Sequence, residues 1–140
     1  MFGQASASYG AFVLRAALGV MYLTHGLLKY VVFTLPGTVG FFESIGLPGP
    51  LAYLTVAAEL VGGVLLILGV WTRYVAIALM PILLGAIWVH GGNGWVFSNA
   101  NGGWEYPLFL LVASAAQALL GDGAFALRPA PAPAGSAGRA

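Results

Sequence analysis

Glu59, His25, Lys29 and His90 are the side chains of this sequence best suited to hold or move a proton, and each is set in a run of apolar residues. Glu59 stands near the middle of LAYLTVAAELVGGVLLILGV, residues 51–70. At ~1.5 Å per residue such a run covers ~30 Å, the thickness of a bilayer's hydrocarbon. A charged side chain at that depth costs at least about 2.5 kcal/mol on insertion scales. Glu59 must therefore face protein or a wet cavity, or be protonated. Helical spacing sets Thr55 four residues before it and Gly62 and Gly63 three and four after it, which leaves room beside the carboxyl group for a neighbour's side chain or a ligand. In the preceding segment Arg15, Gly19, Tyr22, His25, Gly26 and Lys29 recur at steps of three and four, so they share one helical stripe.

Four apolar runs must position these groups: about 9–33, 51–70, 74–90 and 105–120. Between the first and second, TLPGTVGFFESIGLPGP is bracketed by prolines and too short to span; it suits a short amphipathic helix at the interface, with Glu43 as a solvated rim charge. The fold expected is an all-α integral membrane bundle of four transmembrane helices with that interfacial helix between the first two. Residues 1–8 read as a frayed leader, and 126–140 as a disordered Pro/Ala-rich tail. The first apolar run lacks a basic region ahead of it and is too long for a signal peptide, so it reads as retained. Pro81 should kink the third span. The loop GGNGWVFSNANGGW, residues 91–104, carries aromatic rings that settle at headgroup level and fold toward the bundle mouth.

Composition narrows the function classes. Hydrophobic residues make up 60% of the chain and charged residues 6%, against about 25% charged in ordinary soluble domains. A net charge of +1 without a basic cluster gives no footprint for nucleic acid. Without cysteine there is no disulfide, thiolate metal site or cysteine-held cluster in this chain, so redox chemistry would come from a bound cofactor or a partner. Phosphate loops, nucleophile elbows and His-Glu-x-x-His motifs are absent.

Arg15, Arg73, Arg128 and Arg139 belong to one side of a four-span topology and Lys29 to the other, which places both termini in the cytoplasm. Counted from the inner ends, His25 lies about 22 to 24 Å up the first helix, His90 about 24 Å up the third, and Glu59 about 16 Å up the second. Glu105 opens the fourth at a similar level to the histidines. Ionisable groups thus gather in the outer half of the bundle, while Arg15 and Lys29 have the reach to snorkel to headgroups from near the two ends of their helix. Such a cluster can pin helix register, with Glu59 bonded to His25 or another partner. It can equally bind or protonate a small amphiphile arriving from lipid, or pass protons or ions. A haem held by His25 and His90 is the weakest reading, since equal depth does not orient the rings.

Three stretches resemble the DoxX family of small four-helix bacterial membrane proteins: Leu14-Arg15 with Gly19 and His25-Gly26-x-x-Lys29; Ala58-Glu59-x-x-Gly62-Gly63 followed by Gly69-x-x-Thr72-Arg73; and Asn101-Gly102-Gly103-Trp104-Glu105-Tyr106-Pro107. The resemblance covers roughly residues 11–125. It implies a membrane subunit of a redox complex, one related protein being the membrane subunit of a thiosulfate:quinone oxidoreductase, or an anchor for complexes linked to oxidative-stress enzymes. Carried over by position, the polar motif residues are Arg15, His25, Lys29, Glu59, Arg73, Asn101 and Glu105. The family's ending, Gly-x-Gly-x-x-Ser-Leu-Asp, is altered: Ala126 and Arg128 replace the serine and the terminal acid.

The combined expectation is a partner oxidoreductase that supplies electrons and a bundle that offers a quinone a polar pocket. Glu59 and His25 would handle protons, and Lys29 would favour an anionic reduced form. Tyr22, His90, Asn101, Glu105 and Arg15 would complete the binding set, with no covalently bound cofactor and no metal. A non-enzymatic anchor or assembly factor and a small proton or solute conduit are the alternatives. Lipid is the surrounding partner, and a homo-oligomer is compatible with the sequence.

Overall fold

A computed structural model of the chain describes residues 3–131. Met1, Phe2 and residues 132–140, which include Arg139 and most of the expected tail, lie outside the described residues. The described chain is helical: α1 (Gln4–Leu27), which continues through a π turn (Leu28–Val32), α2 (Leu35–Ser44), α3 (Pro50–Leu68), α4 (Thr72–His90), which tightens into a 3₁₀ turn (Gly91–Asn93), and α5 (Glu105–Leu120). Three of these, Gln4–Val32, Pro50–Leu68 and Thr72–Asn93, are long and apolar enough to cross a membrane; α5, at 16 residues, is shorter. Large apolar side chains such as Val13, Leu54, Leu84 and Phe109 point outward, while Arg15, Glu59, Thr72, Ser114 and Gln117 are buried. This is the distribution of a membrane protein, in which the outer surface meets apolar solvent and polar groups must find partners inside.

α1 packs chiefly on α3 and α4 on α5, with α3 against α4 and α1 against α5 closing a ring. Glycines set the α1–α3 distance. A Cβ on Gly63 would stand 2.6 Å from the Leu23 backbone nitrogen and 2.8 Å from the Gly19 carbonyl oxygen, and one on Gly26 would stand 3.1 Å from the Glu59 Cβ. Small residues let membrane helices approach to backbone contact. The space beside Glu59 anticipated from Gly62 and Gly63 is therefore filled by α1 and, at Gly62, by Leu79 of α4.

Two boundaries differ from the sequence reading. α1 begins at Gln4 rather than near Tyr9, because Ala5, Ser6, Ala7 and Ser8 carry no helix breaker and the Ser8 carbonyl is tied by the Ala124 amide at 3.0 Å. The segment after α5 is also structured as far as Pro131. It runs as a strap across the helix ends: the Leu127 and Arg128 amides donate to the Leu68 and Gly69 carbonyls, and the Trp71 amide donates to the Arg128 carbonyl. Asp122 accepts from the Thr72 amide at 3.1 Å and from the Ala130 amide at 2.9 Å. These bonds use backbone groups, which a Pro/Ala composition does not advertise. α4 runs unbroken through Pro81, whose ring lies on the exposed face.

Candidate functional site

The four packed helices leave one cavity of about 120 Å³ near their His90 end, walled by Tyr22 and His25 of α1, Glu59 of α3, His90 of α4 and Tyr106 of α5, with Ile82, Leu83 and Leu110 among its apolar residues. α1 and α4 both run toward this end and α3 and α5 away from it. Groups at the late turns of one pair and the early turns of the other therefore meet at one level.

Glu59 does not meet His25 by a hydrogen bond. Both of its carboxylate oxygens lie 2.8 Å from the Lys29 Nζ, and the two side chains are 5% and 23% exposed. Lys29 can reach inward because it sits in the π turn, and π turns alter the angular position of the residues they carry. Thr34 leaves the helix at φ +63, and the Lys29 carbonyl accepts the Thr38 hydroxyl at 3.0 Å. That bond also fastens α2 to α1. The expected snorkelling of Lys29, and its service as a free cation for an anionic ligand, give way to an ion pair.

The two imidazoles share an arrangement. His25 Nδ1 lies 2.7 Å from the Met21 carbonyl oxygen. His90 Nδ1 lies 3.0 and 3.1 Å from the carbonyl oxygens of Asn101 and Gly102, and the Asn93 Nδ2, 3.5 Å from that nitrogen, spends its hydrogens on the same two carbonyls at 3.1 and 2.9 Å. A carbonyl only accepts, so Nδ1 carries the hydrogen in both rings and the Nε2 lone pair of the neutral ring is left for another group. Among the described residues neither Nε2 takes a hydrogen-bond partner. The Tyr22 hydroxyl is paired with Ser114 at 3.0 Å. The Tyr106 ring stacks on His25 with centroids 6.3 Å apart, and its hydroxyl donates to the Met21 sulfur at 3.4 Å, a weak acceptor.

Besides Lys29, three residues of the expected set do not line the cavity. Arg15, expected to snorkel or to bind ligand, is 0% exposed and about 15 Å along α1 from His25. Its Nη2 donates to the Ala124 carbonyl at 3.0 Å, so the strap covers it. Asn101 contributes its carbonyl to His90 from a left-handed turn, φ +65, and its residue is exposed. Glu105 accepts the Phe97 amide at 2.9 Å, holding the loop of residues 91–104 against the start of α5. Both shape the rim of the cavity without lining it. Arg73 belongs to the Arg15 end, at the start of α4. Tyr106 is the lining residue that sequence reasoning passed over, although Glu105-Tyr106-Pro107 opens a helix at the level of His90.

Comparison with known proteins bears on this geometry. A family model described as DoxX matches residues 10–92. "Putative oxidoreductase CatD" of Bacillus subtilis (strain 168) is 38% identical over 120 residues, covering 86% of this chain and 85% of the relative. No solved structure matches the chain.

Proposed function

This chain belongs to the DoxX family, and from that membership and the cavity we propose that it is an inner-membrane subunit of a redox complex whose pocket takes the ring of a quinone. The carrying observation is the pair of imidazoles, His25 and His90, with Nδ1 fixed by backbone carbonyls on the wall of one cavity. A quinone reduced by two electrons takes up one proton at each of its two oxygens. A partner oxidoreductase supplies the electrons, and each histidine, once it has taken a proton from water at Nε2, gives that proton to a quinone oxygen and returns to the neutral ring with its lone pair on Nε2. The cavity, at about 120 Å³, is somewhat smaller than the apolar cavity of about 150 Å³ that admits benzene, so its occupant is at most one small ring, and a porphyrin is far too large for it. The relative's printed name, an oxidoreductase, agrees with this class.

In this reading α5 is the fourth span. Its 16 residues rise about 24 Å, and the paired rings of Trp95 and Trp104 make up the remaining height at headgroup level. α2 lies at the same interface with Phe41 turned outward. Arg73 and Arg128 mark the cytoplasmic end, because Lys29 at the other end is tied to Glu59.

Titration of the purified protein in nanodiscs with a benzoquinol, whose hydroxyl groups can donate to the two Nε2 atoms, tests the proposal. Affinity is expected to fall at least about tenfold for His25→Ala and for His90→Ala, the loss of one good polar contact, with the helical spectrum intact. Unchanged affinity in both variants overturns it. The Glu59–Lys29 pair and the glycine seam favour a second reading, a non-enzymatic anchor, which expects no benzoquinol affinity in the parent protein.

A further inference from the structure

Beside the cavity runs a second hollow. A groove of about 440 Å³ follows the outer face of α5, lined by Glu105, Leu108, Phe109 and Val112 and walled at its upper end by Trp95 and Phe97 of the loop. Glu105, Phe109 and Val112 recur at helical spacing, so the groove extends about 10 Å along the helix. Its upper wall is fixed by the Phe97 amide on Glu105 and by the edge-on packing of Trp95 against Trp104, with centroids 4.6 Å apart. Its lower part is exposed apolar surface, Phe109 and Val112 above all.

The residue common to both hollows is Tyr106. One side of its ring faces His25 and the cavity, and the same side chain helps to line the groove. Only the weak bond to the Met21 sulfur holds its hydroxyl. A largely apolar cavity with a few polar side chains and an apolar groove therefore share one side chain as their common wall.

We infer that the ligand of this protein is an amphiphile with a single-ring head and an apolar chain, that the head occupies the cavity while the chain leaves past Tyr106 along the α5 groove, and that loading is lateral, from the bilayer. The inference rests on the reading of the cavity as a ring site and adds the second half of the ligand and its route. Tyr106 walls both hollows, so a chain attached to a ring in the cavity has its shortest way out into this groove, which favours that chain over bulk lipid or a second protein as its occupant. Because lipid already solvates an alkyl chain, the gain on entering the groove is packing alone, and the expected advantage is about tenfold rather than the far larger factor expected from water.

The test compares a benzoquinol without a chain and the same ring carrying a decyl chain, titrated against the full protein in nanodiscs and corrected with empty discs for partition into lipid. The decyl compound is expected to bind about tenfold tighter. Val112→Trp, which fills the groove from an exposed position, should erase that advantage and leave the affinity of the bare ring within about twofold, because the ring's contacts lie behind Tyr106. Leu119→Trp, on the same helix outside the groove, should preserve it. An equal affinity for the two compounds, or an advantage that survives Val112→Trp, means that bulk lipid alone covers the groove and overturns the inference while the ring site stands. No binding of either compound removes the ring site itself.

Discussion

The Lys29 Nζ lies 2.8 Å from each carboxylate oxygen of Glu59, bridging α1 to α3 inside the helices. A pair so placed is costly to assemble, since both ions leave water, yet more costly to break, because the survivor is stranded. Lys29→Met or Glu59→Gln alone should each destabilise by about 3 kcal/mol, the low end for a buried pair, as Lys29 keeps some exposure. The double variant should recover most of that loss. Denaturation in detergent, read as a double-mutant cycle, checks it; additive losses would show that the two residues are uncoupled.

The glycine seam makes a sharper prediction, because three glycines differ in what a methyl group would meet. At Gly63 it would strike the backbone of Leu23 and Gly19, which cannot yield without parting α1 from α3. Gly63→Ala should cost about 1 to 3 kcal/mol. At Gly62 the obstruction is the tip of Leu79, which can turn aside, so the cost should be smaller. At Gly85 nothing lies within 4 Å, and alanine should stabilise α4 by about 0.5 to 1 kcal/mol. Melting temperatures of the three variants in one detergent decide the order.

Much of this arrangement was legible in the sequence because a membrane makes polar residues informative. His25, Lys29 and Glu59 stand out as rare ionisable groups in apolar runs, and counting ~1.5 Å per residue brings His90 to the level of His25, with Glu59 one or two turns deeper. What the count could not supply was direction. It leaves Glu59 with His25, another side chain or a ligand beside it, and the choice of Lys29 depends on a π turn that has no signature in residue type. Arg15 was read as reaching for headgroups because its partner, the Ala124 carbonyl, lies 109 residues away in a stretch whose composition suggests disorder. Asn101 and Glu105 were at the right height, but their bonds hold the loop rather than line the cavity.

The strap after α5 is a structural element that can be tested by itself. Asp122 joins it to α4 through the Thr72 amide and to itself through the Ala130 amide, and its charge acts on the buried Arg15 guanidinium. Asp122→Asn keeps one acceptor, turns the other into a donor and removes the charge, so a loss of about 1.5 to 3 kcal/mol is expected, as for hydrogen bonds to ionised groups. The Arg15 Nε and Nη1 have no partner among the described residues, and Ala126 crowds the same point over Gly69 as Nη1 does. Ala126→Ser, restoring the residue of the family ending, is expected to raise stability by about 1 kcal/mol by supplying an acceptor. Proteolysis of the strap and thermal unfolding read both changes; a destabilised Ala126→Ser would mean the hydroxyl cannot reach.

The tautomer of the two histidines is the last consequence, and the one closest to function. Carbonyl oxygens at 2.7 Å from His25 Nδ1 and at 3.0 and 3.1 Å from His90 Nδ1 require the hydrogen on Nδ1 in each ring. Nitrogen NMR of histidine-labelled protein should therefore show two rings with a protonated Nδ1 and an unprotonated Nε2 when neutral. For His90 the arrangement depends on the loop, where a methyl group on Gly103 would collide with the Trp95 and Val96 carbonyls. Gly103→Ala should thus release His90 to mixed tautomers while His25, held within its own helix, keeps its signal. Addition of a benzoquinol, whose hydroxyl groups can donate, should move both Nε2 resonances and leave the Nδ1 resonances nearly in place. A ring with its hydrogen on Nε2 in the parent protein would contradict the backbone contacts and overturn the proposed proton exchange.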